Sequence, residues 1–600
     1  MANTKDILMN NRLDEHLADI RITKIDWVRT TVRFFITIAS SSLPEDTQFE
    51  YYFVNGAFLT NAHCKCEKVS DRDYIVSVLI TNPGYNMCMP EGIYSLYACV
   101  DQDVICRVQT TLEFAEKLAD ASKTFLHNGK SISYTINFSL LESDEGLFPL
   151  MHIIDAKKYE LPHYAVRGDK DPDSSIAKAK RETKKLLKNA KKPKAIFREA
   201  YNALVAADLA KKKKKKTLLF MSEQNDVMGA NLVAVYNRMK QRGIDEDFDI
   251  LFSFRAIIGK KSEYGMKSWM ETLGKIAAAD IIFVDDHCPM FDWLVLHPKT
   301  TLIQLWHAGA GYKGVGYSRW GHDGCPAPFS CHRQYDWCIT PSANIADFFS
   351  EQFGISDEQI IPTGMPRMDM YLDEDHRSAT VEELYEKYPQ AKGKKVILFA
   401  PTYRGKDRKT ASYPYQLIDF EQLYELCGDE YVVIFKMHPW VSKGVPIEEK
   451  YSDKFFDAGA SVNINDLFYI TDLYISDYSS GVFEYSLMRK PSLFFAFDEM
   501  QFSYTRGFHR DYRTSVPGKV VHTFDELLEA IRNEDFEAEK IDPYIEHHFD
   551  YIDTNSSDRV IDWFLLDQMP EEYTAKLKAH QEEMERLKQI DFISLKKPKH

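Results

Sequence analysis

The sequence predicts an α/β chain in which two Rossmann-like domains follow one another and face a cleft, behind an N-terminal all-β accessory domain. Three observations carry that prediction. Apolar and polar residues alternate in short runs up to about Ile154, short apolar strands alternate with amphipathic helices after Lys216, and this second pattern starts afresh at KVILFAPTYRG.

The first runs are VRFFITIA, FEYYFV, YIVSVLIT, GIYSLYACV and ISYTINFSLLE, separated by turn-forming stretches such as LPEDT and PGYN. Side chains on a strand alternate between faces, so residues 1–165 read as a small antiparallel sandwich. Residues 166–216 read as a basic helical connector. SSIAKAKRETKKLLKNAKK and FREAYNALVAADLA have helical composition, and the lysine run Lys211–Lys216 closes the segment. Such a run usually stays solvated; the alternative is contact with an anionic membrane surface or polymer.

Residues 217–372 contain TLLFMS, DILFSF, DIIFVD, TTLIQLWH and YDWCITPS, with the helical NLVAVYNRMKQRG and SWMETLGKIAAA among them. Residues 373–545 repeat the rhythm through VVIFKMHPW, LYISDYSSG and SLFFAF. Open parallel sheets bind ligands beyond the carboxyl ends of their strands, so two of them in succession imply a cleft between the halves. Residues 546–600 are a C-terminal helical segment with a dense charged face, read first as a helix that packs back on the core.

The net charge of −15 argues against a general nucleic-acid binder, whose phosphate-contacting surface is normally basic. The opening MANTKDILMNNRLDEHL has no apolar core after a positive segment, and no apolar stretch approaches the roughly 20 residues of a membrane span. Neither secretion nor membrane spanning is expected. The ten cysteines are scattered, and the closest pairs, Cys64/Cys66 and Cys325/Cys331, lack C-x-x-C spacing, so reduced thiols are expected.

Charged and hydroxyl residues gather where strands end. Trp306-His307-Ala308-Gly309-Ala310-Gly311-Tyr312-Lys313 follows TTLIQL, placing a histidine at the cleft and glycines that allow close backbone approach to a ligand. Lys436-Met437-His438-Pro439 ends YVVIF in the other half. Ser479 and Ser480 stand before FEYSLMRKP as N-cap candidates for a diphosphate site, with Glu484 one turn in to meet a ribose hydroxyl. Arg367, Arg404 and Arg506 follow further strands and add positive charge. Asp285-Asp286-His287 has no further acid at suitable spacing, so helix capping or acceptor contact is preferred over metal binding. There is no P-loop and no G-x-S-x-G.

Together WHAGAGYKGVG, TGMPRMD, ILFAPTYRG, FKMHP, INDLFYITDLYISDYSSGVFEY, KPSLFFAFD and the later RGF with PG resemble, in order, the CDP-glycerol glycerophosphotransferase family of teichoic acid polymerases and primases. The resemblance covers roughly Thr217 to Ile545 and implies a GT-B architecture. It also implies attack of a polymer hydroxyl on the β-phosphorus of CDP-glycerol or CDP-ribitol, with CMP leaving. Many members carry W-H-G-T-P followed by K-K-L-G, and the altered turn here bears on the identity of acceptor and polyol.

On that basis His307 is expected as general base, and His438 with Lys436 as holders of the donor phosphates. Lys313, Arg367, Arg404, Ser479, Ser480, Glu484 and Arg506 are expected substrate contacts. The motifs require neither cofactor nor metal. The implied partners are the CDP-polyol and a lipid-linked polymer acceptor, with no nucleic acid, and homo-oligomerisation is left open. The implied location is cytoplasmic, peripheral on the inner face of the cell membrane. The competing readings are a GT-B glycosyltransferase or epimerase using a sugar nucleotide, and a noncatalytic scaffold of polymer export.

Overall fold

The computed structural model describes residues 12–13, 19–39, 47–55, 64–83, 86–100, 104–127, 132–144, 146–155, 193–257, 264–309, 313–322, 324–405, 409–459, 462–576, 578–579 and 582. The SSIAKAKRETKKLLKNAKK segment and most of the charged C-terminal run lie outside them.

In the first Rossmann-like half six strands pair in parallel. Their order is Phe248–Phe254, Lys216–Ser222, Ile281–Val284, Thr301–Gln304, Trp337–Thr340 and Ile360–Pro362. Thr217 to Ser222 are buried at every position, as a strand covered on both faces requires. Leu219, Met221, Ile282 and Val284 meet the helices Pro193–Leu209 and Met266–Ala278 on one face. Leu218, Phe220, Ile281 and Phe283 meet the helices Ala230–Gln241 and Ser556–Phe564 on the other.

The helix Pro193–Leu209 therefore belongs to this half, not to a connector. Phe197, Tyr201 and Val205 are buried in its core, with the Phe197 ring 5.9 Å from that of Trp269. Burying each such side chain contributes about 1.5–3 kcal/mol, which holds the helix on the sheet. Its end also disperses the lysine run. Lys213 Nζ lies 2.9 Å from Asp208 and 3.0 Å from Asp280, and Lys215 donates to the Glu246 carbonyl.

The second half has the strand order Phe455–Asp457, Tyr431–Phe435, Lys395–Phe399, Leu473–Ser476, Ser492–Phe495 and Lys519–Val521, all parallel. This is the Rossmann order, and its switch point lies between Lys395–Phe399 and Leu473–Ser476. The helix Ile541–His548 buries Ile541, Tyr544 and Ile545 in this half. The chain then returns to the first half, where the helix Ser556–Phe564 places Asp558 2.7 Å from Arg238 and 2.8 Å from Arg242. Asp369, in TGMPRMD, accepts from the Ser556 and Ser557 amides at 2.8 and 2.7 Å, satisfying donors at the start of that helix.

Ahead of both halves lie two mostly antiparallel sheets. One runs Arg12–Leu13, Val104–Arg107, Gly92–Val100, Gly146–Asp155, Ile132–Ser143, Lys123–His127, with Phe49–Asn55 paired to Gly92–Val100. The other runs Lys65–Lys68, Asp73–Leu79, Thr31–Ile38, Ile20–Val28, Gln109–Thr110. Alternate burial along Thr31–Ile38 puts Val32, Phe34, Ile36 and Ile38 in one shared core. Tyr317 and Trp320 of the first half enter that core, Trp320 edge-on to Tyr134 at 5.9 Å. Buried Glu351 ties the three parts together, accepting from Arg29, from Thr30 at 3.1 Å, and contacting His509 at 3.2 Å.

Candidate active site

On the first half, the strand Thr301–Gln304 ends in an abrupt turn. Trp306 has φ +44°, a left-handed conformation costly for a bulky residue and held only by its surroundings. Gln304 Oε1 accepts from the Trp306 amide at 2.8 Å. The buried Asn231 amide donates to the Leu305 carbonyl at 3.0 Å and to that of Trp306, while its oxygen accepts from the Arg367 amide at 2.9 Å.

The turn brings His307 against the end of the neighbouring strand Ile281–Val284. Its Nδ1 lies 3.2 Å from the Asp285 carbonyl and 3.4 Å from an Asp286 carboxylate oxygen, and the side chain is 52% exposed. A carbonyl only accepts, so the neutral ring carries its proton on Nδ1 and keeps the Nε2 lone pair as a base. Asp285 itself is buried. Burial and the adjacent Asp286 charge push its carboxyl up to about 6, against the opposing pull of His307. Gly229 is needed beside it, since a Cβ there would stand 1.7 Å from the Asp285 carboxylate.

The second half presents positive charge. Lys436 is 6% exposed and donates to the Gly459 carbonyl at 2.5 Å. His438 Nδ1 accepts from the Trp440 amide at 3.2 Å, so the neutral ring carries its proton on Nε2 as a donor. Burial, then the charges of Lys313 and Lys436, push His438 down to about 4, which keeps it neutral near pH 7.

Lys313 belongs to the first half but crosses over. It bridges Phe508 in antiparallel fashion, and the Gly314 amide donates to the Gly507 carbonyl at 2.9 Å. Burial pushes its ammonium down to about 8; Asp477 opposes this, while Arg506 and Arg404 add to it. Arg506 donates to the Gly405 carbonyl at 3.2 Å and lies over Tyr403. Among the described residues, no carboxylate forms an ion pair with Lys313, Lys436 or Arg506, and Lys436 is buried against the Gly459 carbonyl.

Other expected contacts are spent inside the protein. Arg404 is held by Asp498 at 2.6 Å and Asp477 at 2.9 Å, so it orders the loop after Lys395–Phe399 instead of offering an open charge. Glu484 is 3% exposed and ion-paired with Arg367, which also donates to the His307 carbonyl, so Glu484 is not open to a ribose. Neither Ser479 nor Ser480 is the N-cap. The helix is only Val482–Ser486, its N-cap is Gly481, and Ser479 Oγ accepts from the Gly481 amide at 3.2 Å. Its five residues sum to a small dipole. Gly309 allows close approach of the second half, not of a ligand, since a Cβ there would meet the Phe483 ring at 2.4 Å. Asn231 escaped sequence reasoning, and Asp286, singled out there for capping or acceptor contact, stands instead beside His307.

The teichoic acid ribitol-phosphate polymerase TarL of Staphylococcus aureus is 40% identical over 368 residues, 61% of this chain and 65% of that protein. The teichoic acid poly(ribitol-phosphate) polymerase of Bacillus spizizenii is 38% identical over 359 residues, 60% of this chain and 57% of that protein. The matched part of the chain thus spans less than two thirds of these relatives. The solved structure of the wall teichoic acid polymerase TagF superposes with a TM-score of 0.50 at 22% identity, covering 65% of this chain and 98% of that one, and shares the α/β fold of Rossmann-like sheets. Residues 203–566 match the family model, and the chain belongs to the CDP-glycerol:poly(glycerophosphate) glycerophosphotransferase family.

Proposed function

We propose that the chain transfers ribitol phosphate or glycerol phosphate from a CDP-polyol to the terminal hydroxyl of a lipid-linked teichoic-acid-type polymer, releasing CMP. The observation that carries this reading is the half-exposed His307, its Nδ1 turned to Asp285 and Asp286 and its Nε2 left as a base. The polymer hydroxyl oxygen attacks the β-phosphorus, the bond to the CMP oxygen breaks, and the hydroxyl proton passes to His307 Nε2. The Asp286 charge favours the imidazolium that forms. Lys313, Lys436 and Arg506 offset the charge on the nonbridging oxygens and on departing CMP, and the His438 Nε2–H donates to a donor phosphate. These cations supply the stabilisation of the transferring phosphate.

The ribitol-phosphate relatives favour ribitol over glycerol as the polyol. The two N-terminal sheets serve as an accessory domain docked through Tyr317 and Trp320. A lipid-linked acceptor sets the working place at the inner face of the cell membrane, although no helix among the described residues is long and apolar enough to cross one. The test is incubation of the chain and a lipid-linked acceptor with CDP-ribitol, CDP-glycerol or UDP-sugars, followed by nucleotide analysis and product mass. CMP release with polyol phosphate addition is expected, fastest from CDP-ribitol. UDP release with no CMP would overturn the proposal.

A further inference from the structure

One residue beyond Asp286, the fold gathers a second group of side chains that the transfer reaction does not use. His287 stands at the end of Ile281–Val284, and Cys331 and His332 open the turn Cys331–Gln334. One donor atom from each of the three lies within 4.8 Å of the others. The Cys331 sulfur is 3.9 Å from His332 Nδ1, and His287 Nε2 is 3.1 Å from both carboxylate oxygens of Asp292. Asp292 also accepts from the Cys331 amide at 2.9 Å, so it links the His287 ring to the start of that turn.

We propose that His287, Cys331 and His332 form a zinc site, with Asp292 holding the His287 ring beside it. Zinc takes imidazole nitrogen at about 2.0 Å and thiolate sulfur at about 2.3 Å, so tetrahedral ligands lie roughly 3.6 Å apart. The sulfur–nitrogen spacing here is close to that edge. Two imidazole nitrogens and one thiolate sulfur are a donor set for zinc, whereas magnesium and calcium seek oxygen. Cys331 and His332 are 0% and 5% exposed and form the inner wall, while the His287 and Asp292 side chains, 30% and 36% exposed, leave an entry from solvent. The Tyr335 hydroxyl lies 3.6 Å from the sulfur and 2.9 Å from His332 Nδ1, within the same cluster. It also accepts from Gln304 at 2.8 Å, the residue that holds the Trp306 turn. The ion ties the Asp285–His287 loop to the Cys331–Gln334 turn and so steadies the Asp286 carboxylate beside His307.

The experiment is zinc loading of the full chain, desalting, elemental analysis and competition with a chelator of known affinity. A single zinc per chain is expected to survive desalting in the wild type. His287→Ala, which alters a partly exposed side chain, should lower zinc affinity by roughly tenfold or more. Cobalt loading adds a readout of the sulfur, since a thiolate-to-cobalt charge-transfer band is expected in the wild type and in no Cys331→Ala chain. The proposal is overturned if the wild type retains no zinc, if His287→Ala holds it as tightly, or if cobalt shows no thiolate band. Should Cys331→Ala fail to fold, the wild-type cobalt spectrum and His287→Ala still decide.

Discussion

The two faces of the cleft each present a histidine, and their surroundings are opposite. His307 stands half exposed beside the carboxylates of Asp285 and Asp286, whereas His438 is partly buried among Lys313 and Lys436. Burial, and after it the charges of the two ammonium groups, hold the His438 ring neutral. In the proposed mechanism the same side chain serves as a base in one half and as a neutral hydrogen-bond donor in the other. Neighbours, not residue type, divide the labour.

The largest expected effect separates these roles. His307→Ala should lower kcat for CMP release by roughly 10²–10⁴ while donor binding persists. His438→Ala should instead raise the donor KM; equal losses confined to kcat in both variants would break the contrast.

Next comes the positive charge that the first half lends to the second. Lys313→Met removes an unpaired ammonium, and hydrogen bonds to charged groups contribute about 1.5–3 kcal/mol, so kcat/KM for the donor should fall by about ten- to a hundredfold. A defect in acceptor KM alone would assign Lys313 to the other substrate. Asp286→Asn keeps the shape but removes the charge beside His307. Turnover should drop by about tenfold without a change in donor KM, and Asp286→Glu should recover part of it.

The smallest effect is on stability. An unfolded histidine takes up its proton near 6.5, but His438 in the fold does so only at about 4. Between these values the unfolded chain binds more protons, so the protein loses stability as pH falls through that window. Above it the contribution is level. Denaturation midpoints measured from pH 7 to pH 4 should fall less steeply in His438→Gln; an identical slope would show that His438 is not held neutral.

The sequence by itself determined the strands wherever an apolar run is covered on both faces, as in TLLFMS, VILFA and VVIF, because such runs have no other stable surroundings. It also offered His307 and His438 as site candidates, each of which follows a strand end. Edge strands were less legible. Phe455–Asp457 and Lys519–Val521 are three residues long and only partly buried, too short for any period to register. The helix Pro193–Leu209 was legible as a helix, but its composition does not say which surface takes Phe197, Tyr201 and Val205.

Only the tertiary structure decided which charges remain open. Arg404 meets Asp498 across 94 positions and Arg367 meets Glu484 across 117, so residues that look like ligand contacts in the sequence neutralise each other in the fold. The grouping of His287 with Cys331 and His332 has the same origin, because no local spacing joins them. Burial and pairing depend on which strand ends the sheet order brings together, and that order arises from packing the whole chain at once.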